Sequence, residues 1–80
     1  MITPAQIRAA RALLGWNQIQ LAAAAGLTEI TIKDLERGLA NPRPSTLDRI
    51  QQAFDEAGVV FFEAGEVKEG GPGLRLKNRD

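Results

Sequence analysis

Cysteine, histidine and tyrosine are all missing from this 80-residue chain, and one tryptophan and three phenylalanines are its only aromatics. Without cysteine there is no disulfide framework and no thiolate metal site, which suits a reducing compartment. Without histidine or tyrosine the usual general base, the strongest nitrogen ligand and most nucleophile–base pairs vanish together. Only carboxylate chemistry is left, and a chain this short has little room for a pocket around it. No enzyme, no cofactor and no metal site is expected. Long apolar runs are absent too, and the opening Met1-Ile2-Thr3-Pro4 lacks the pattern of a secretory signal. A cytoplasmic protein with no membrane partner is expected.

Net charge is the next absence. Ten basic residues face ten acidic ones. Residues 1–58 hold six of each sign, and residues 59–80 hold four of each. A nucleic-acid binder ordinarily shows a basic excess, so any such surface must come from the arrangement of charges rather than their sum. Apolar residues make up 44% of the chain. That is enough for one small globular domain, near the size at which a single core just suffices.

What the chain does have is clear helix punctuation. Thr3 caps a first helix, with Pro4 at its first position and Gln6 completing a capping box. Ile7, Ala10 and Leu14 form its apolar stripe, and Gly15 stops it. Asn17 and Gln20 repeat the capping pattern for a second helix, which Gly26 ends. Thr28 caps a third running to Gly38. Ser45 caps a fourth running to Gly58, with Leu47, Ile50, Phe54 and Ala57 on one face. The intervening GLANPRP (38–44) reads as a rigid loop. After Gly58 the period changes. VVFFE and LRLK read as two strands of a β-hairpin or β-arm, with a long turn AGEVKEGGPG between them and a fraying NRD after them. The expected division is therefore a helical domain over 1–58 and an arm and tail over 59–80.

Only Gly26 and Leu27 separate the second helix from the cap Thr28, so the two axes must cross steeply. Bulky side chains at such a joint would push the helices apart. Ala22 and Ala25 allow close approach, Gly26 supplies the left-handed corner, and Leu21, Leu27, Ile32 and Leu35 fill the wedge. Ala23 and Ala24 face outward. The stretch NQIQLAAAAGLTEITIKDLERG (17–38), followed by NPRPSTLDRIQQAF (41–54), resembles the Cro/C1-type, lambda-repressor-like helix-turn-helix of the XRE family, from about Ile7 to Val59. The matching positions are Gln18, Leu21-Ala22, Gly26, Thr28, Thr31-Ile32 and Glu36. The implied fold is a mainly α, compact four-to-five-helix helix-turn-helix domain, and the hairpin lies outside the resemblance.

The resemblance implies that the third helix enters a DNA major groove. Glu29, Ile30, Lys33 and Asp34 would then face bases. Lys33 can donate to guanine, Glu29 and Asp34 can accept from the cytosine amino group, and Ile30 can touch a thymine methyl. Asn17, Gln18, Thr28, Thr31, Arg37 and Arg43 would meet or flank the backbone. The two acids depart from the residues usual at such positions and should keep binding weak and only modestly salt-dependent. Arg11 and Glu36 occupy the places of a structural ion pair. Trp16 should cover the edge of the core.

In a strand, successive side chains point to opposite faces, so Val59, Val60, Phe61 and Phe62 cannot all enter one core. A second copy covering the other face would make this arm a homodimer contact. The expected function is a sequence-specific DNA-binding transcriptional regulator, a repressor more readily than an activator, with a palindromic double-stranded operator as partner. The alternative is an antitoxin or protein-interaction module that binds a partner such as a toxin.

Overall fold

Side-chain caps set three of the four helix starts in the computed structural model, which describes residues 2–39, 41–62 and 73–76. Helix α1 spans Pro4–Leu14, and there Thr3 Oγ1 accepts the Gln6 N–H at 3.2 Å while Gln6 Oε1 accepts the Thr3 N–H at 3.0 Å. Helix α2, Gln18–Ala25, repeats this reciprocal box between Asn17 and Gln20 at 2.7 and 2.8 Å. Helix α3, Glu29–Glu36, starts on the Thr28 hydroxyl, which accepts the Thr31 N–H. Each cap satisfies a backbone donor that the first helical turn leaves without an intrahelical partner.

Helix α4 corrects the expectation of a Ser45 cap. It spans Pro44–Glu56 and follows Arg43, with no side-chain capping bond. Pro44 has no N–H to satisfy and a backbone angle already set for the first helical position, so the helix begins ahead of Ser45. Helices α3 and α4 also stop two residues short of the expected glycines, at Glu36 and Glu56.

Between α2 and α3, Gly26 turns the chain at φ 69°. The Leu27 N–H reaches back to the Ala22 carbonyl at 2.9 Å and closes the last turn of α2. Only Leu27 and Thr28 then precede α3. Ala22 and Ala25 are buried at the crossing, and Ala23 and Ala24 are exposed, as the sequence implies. Arg49 of α4 donates to the Gly26 carbonyl at 3.4 Å, linking the corner to the fourth helix.

The core gathers Ile7 and Ala10 of α1, Leu21 of α2, Ile32 and Leu35 of α3, and Ile50 and Phe54 of α4. Phe54 is its largest fully buried side chain. Trp16 stacks on one side of Phe54 with ring centres 6.0 Å apart, and Phe61 meets it edge-on at 5.7 Å. Strand β1, Val59–Phe62, pairs antiparallel with β2, Gly73–Leu76, with Val59 opposite Leu76 and Phe62 opposite Gly73. Val59 is fully buried in the helical core, and Phe61 packs against it. The hairpin therefore rests on its own helices, β1 on α4 and β2 on α1. Glu63, residues 64–72 of the expected turn and residues 77–80 lie outside the described residues, and Gly73, expected to end the turn, begins β2 instead.

A β-carbon added at Gly26 would approach only an Arg49 nitrogen, at an unstrained 3.5 Å. Gly26→Ala is therefore expected to cost only the left-handed backbone penalty, about 1–2 kcal/mol, without a steric addition. The urea midpoint relative to the unsubstituted chain measures this.

Candidate nucleic-acid interface

At about 100° per residue, the inward side of α3 carries Ile32, Leu35 and Glu36, all buried. Ile30, Lys33, Asp34 and Arg37 fall on the opposite side, and Glu29 on the flank. Ile30, Lys33 and Arg37 are exposed, while Glu29 and Asp34 are half-buried. The four residues expected at base edges thus share one helix, with Ile30, Lys33 and Asp34 on its outward side and Glu29 on the flank. Lys33 and Glu29, one turn apart, form an ion pair with Nζ 3.5 Å from Oε2. The cation expected to meet guanine already has a carboxylate beside it.

The end of α3 is held from behind. The Glu36 carboxylate is only 4% exposed, and its partner Arg11 is 21% exposed. Arg11 Nε donates to Oε2 at 2.5 Å and a terminal nitrogen donates to Oε1 at 2.8 Å, a two-pronged contact. Arg11 also donates to the Trp16 carbonyl at 3.0 Å. Gln18 Nε2 donates to Glu36 Oε1 at 3.0 Å, and Arg8 donates to the Glu36 main-chain carbonyl. Burial alone pushes the Glu36 carboxyl up. The hydrogen bonds from Arg11 and Gln18 and the charges of Arg11 and Arg8 outweigh it and hold the group below its ordinary value. The Glu36 hydrogen bond in turn raises the Arg11 guanidinium, against the opposing effect of its burial.

These contacts redraw several of the expected backbone positions. The Gln18 amide is turned to Glu36, leaving the main-chain N–H groups of Gln18 and Ile19 as the open donors at the start of α2. The Asn17 side-chain oxygen is occupied by the Gln20 N–H. Thr28 and Thr31 bond to each other through their hydroxyls at 2.9 Å, with either one donating. Arg37 follows α3 and Arg43 precedes α4, both exposed, and neither makes an ion pair among the described residues. The Gln18–Glu36 bond sets the start of α2 beside the end of α3. The start of a helix is the end suited to a phosphate.

Two helices joined by a three-residue corner, the second presenting an open face, define the motif geometrically. The helix-turn-helix family model HTH_3 matches residues 7–59, from within α1 to the first residue of β1. The chain belongs to the XRE, Cro/C1-type helix-turn-helix family. No curated protein matches it. This family is one of DNA-binding transcription regulators, and here its helix-turn-helix comprises α2 and α3. Among the described residues no helix is long and apolar enough to cross a membrane.

Sequence reasoning missed three contacts at this site: Arg8 to the Glu36 carbonyl, Gln18 to its carboxylate, and Lys33 to Glu29. The third was legible in the four-residue spacing. Arg8 lies one turn before Arg11 on α1, which hints at a shared target without naming it. Nothing local marks Gln18 as a partner of Glu36.

Because Glu36 is the more buried partner, losing Arg11 is the more damaging change. Arg11→Met is expected to cost about 3–5 kcal/mol and Glu36→Gln less, while Arg11→Met with Glu36→Met recovers part of the loss. Denaturation midpoints of the three variants check this order. The folded Glu36 carboxyl titrates below the unfolded one, so the unfolded chain binds the proton first as pH falls. The stabilisation is complete at neutral pH and is lost in acid, as pH drops through the folded value. Glu36→Gln should flatten that acid limb in midpoints measured between pH 7 and 3.

Proposed function

We propose that the chain is a sequence-specific DNA-binding transcriptional regulator that reads the major groove with residues 28–37 and represses by occupying its operator. The observation that carries this reading is the outward stripe of Ile30, Lys33, Asp34 and Arg37, which lies on the side of α3 away from the buried Ile32, Leu35 and Glu36. Glu29, Ile30, Lys33 and Asp34 are the base-facing set. Thr28, Thr31, Asn17, the main-chain N–H groups that open α2, and the Arg37 and Arg43 side chains face the sugar–phosphate backbone.

Charge sets the expected strength. Of the bases in residues 1–58, Arg8 and Arg11 serve Glu36, Lys33 serves Glu29, and Arg49 holds the Gly26 carbonyl. That leaves Arg37 and Arg43 to displace counterions. The logarithm of affinity should then fall against the logarithm of salt with a slope of about −2 per protomer. Binding to a palindrome by a homodimer offsets such weak single contacts. The arm is the proposed dimer element. Val59 and Phe61 are turned into their own core, so the contact falls to Val60 and to the edge of β1 that pairs with nothing among the described residues.

The Lys33–Glu29 pair favours one second reading. A reading helix whose cation is already neutralised suits a protein partner, as in an antitoxin on the same scaffold.

Fluorescence-anisotropy titration against a randomised duplex pool, at low and then physiological salt, separates the two. Enrichment of a palindrome that Lys33→Ala abolishes supports the regulator, and no binding even at low salt refutes it. Glu29→Gln frees Lys33 and is expected to raise affinity for all duplexes and steepen the salt slope by about one per protomer. Sedimentation at micromolar concentration should give a dimer; a lone monomer would remove the arm from the interface.

A further inference from the structure

After Gly58, strand β1 packs back on α4 and leaves a groove of about 630 Å³ beside it, a size usual for ligand-binding clefts. Val59, Val60 and Phe61 line one wall, and Asp48, Gln51, Gln52 and Asp55 line the other. Successive strand residues point to opposite faces, so a groove that touches three in a row meets β1 at its edge. Strand β2 holds one edge of β1. The groove therefore runs along the other, which pairs with no strand among the described residues. Asp48, Gln52 and Asp55 follow the helical repeat and form one exposed stripe of α4. Among the described residues no basic side chain lines the groove.

We propose that this groove docks an extended strand of a partner protein in which basic and apolar residues alternate. The backbone of such a strand extends the sheet by pairing with the open edge of β1. Its side chains point alternately to the two faces. The basic ones reach the α4 stripe, where Asp48 and Asp55 carry the opposite charge. The apolar ones lie beside Val60, which points away from the core because Val59 and Phe61 point into it. An acidic strand is repelled from the same stripe, and the β1 of a second copy, Val59–Phe62, brings no base to it. Charge thus selects a basic partner over a second copy at this edge. The two exclude one another, so a docked partner strand releases the dimer proposed above. Docking of this kind does not depend on what α3 reads.

The probe is a short fluorescein-labelled peptide of alternating lysine and valine, titrated by anisotropy against the full chain without DNA. A peptide of alternating glutamate and valine is expected not to bind. In a strand added to an edge, alternate N–H groups face the sheet and the rest face solvent. The lysine peptide is therefore also made with every lysine N–H methylated, and separately with every valine N–H methylated. One methylated form is expected to bind about tenfold more weakly and the other as tightly as the parent. Asp48→Asn, its folding checked by circular dichroism, is expected to weaken the parent about threefold at low salt, with the difference gone at high salt. Sedimentation is expected to show the dimer giving way to a peptide-bound monomer. Binding to a chain that is monomeric throughout still supports docking and removes only the dimer. The proposal is overturned if both methylated forms behave alike, or if Asp48→Asn changes nothing at low salt. A chain that sediments as a dimer and binds no peptide gives the edge to the second copy, and that too overturns it.

Discussion

Everything that the exposed face of α3 can do depends on one buried carboxylate. Glu36 takes hydrogen bonds from Arg11 on α1 and Gln18 on α2, while Arg8 on α1 holds its main-chain carbonyl. Two helices are thereby fixed against the end of the third. Hydrophobic packing is non-directional and on its own discriminates weakly between small rotations of a helix. A two-pronged arginine–carboxylate contact is not tolerant, since both prongs lose geometry together. The ionic cluster thus sets the rotation of α3 about its axis, and with it which side chains face outward.

The core supplies the complementary restraint. Phe54 lies between Trp16, at the α1–α2 joint, and Phe61 of β1. One ring accordingly couples the helix-turn-helix to the hairpin that follows it. Val59 completes the same packing, so the first strand is continuous with the helical core rather than appended to it. In a domain of this size such shared contacts matter, because there is little buried area elsewhere to replace them.

Helix starts were legible wherever a side chain makes the cap, as at Thr3, Asn17 and Thr28, because the capping bond is local and its spacing fixed. The start of α4 was not, since proline replaces the cap by removing the need for one. The inward and outward alanines of α2 followed from the steep crossing that a short corner imposes. The strands were visible in the change of period after Gly58, but not that β2 would lie against α1, which is a matter of tertiary packing. At the interface, the composition of the outward face of α3 was readable from helical spacing. The Gln18–Glu36 bond joins residues 18 positions apart, and no local pattern encodes it. The Lys33–Glu29 pair was encoded locally, yet each residue also suited a base, and spacing alone does not choose between a neighbour and a ligand.

The division of labour along α3 bears on how such a domain diversifies. Its structural residues, Ile32, Leu35 and Glu36, and its outward residues, Ile30, Lys33, Asp34 and Arg37, occupy opposite sides and share no side-chain hydrogen bond or ion pair among the described residues. Substitution on the outward side leaves the cluster around Glu36 and the packing around Phe54 intact. Lineages descended from this sequence are thus free to exchange one target for another through changes on a single helical face, with the fold passed on unaltered.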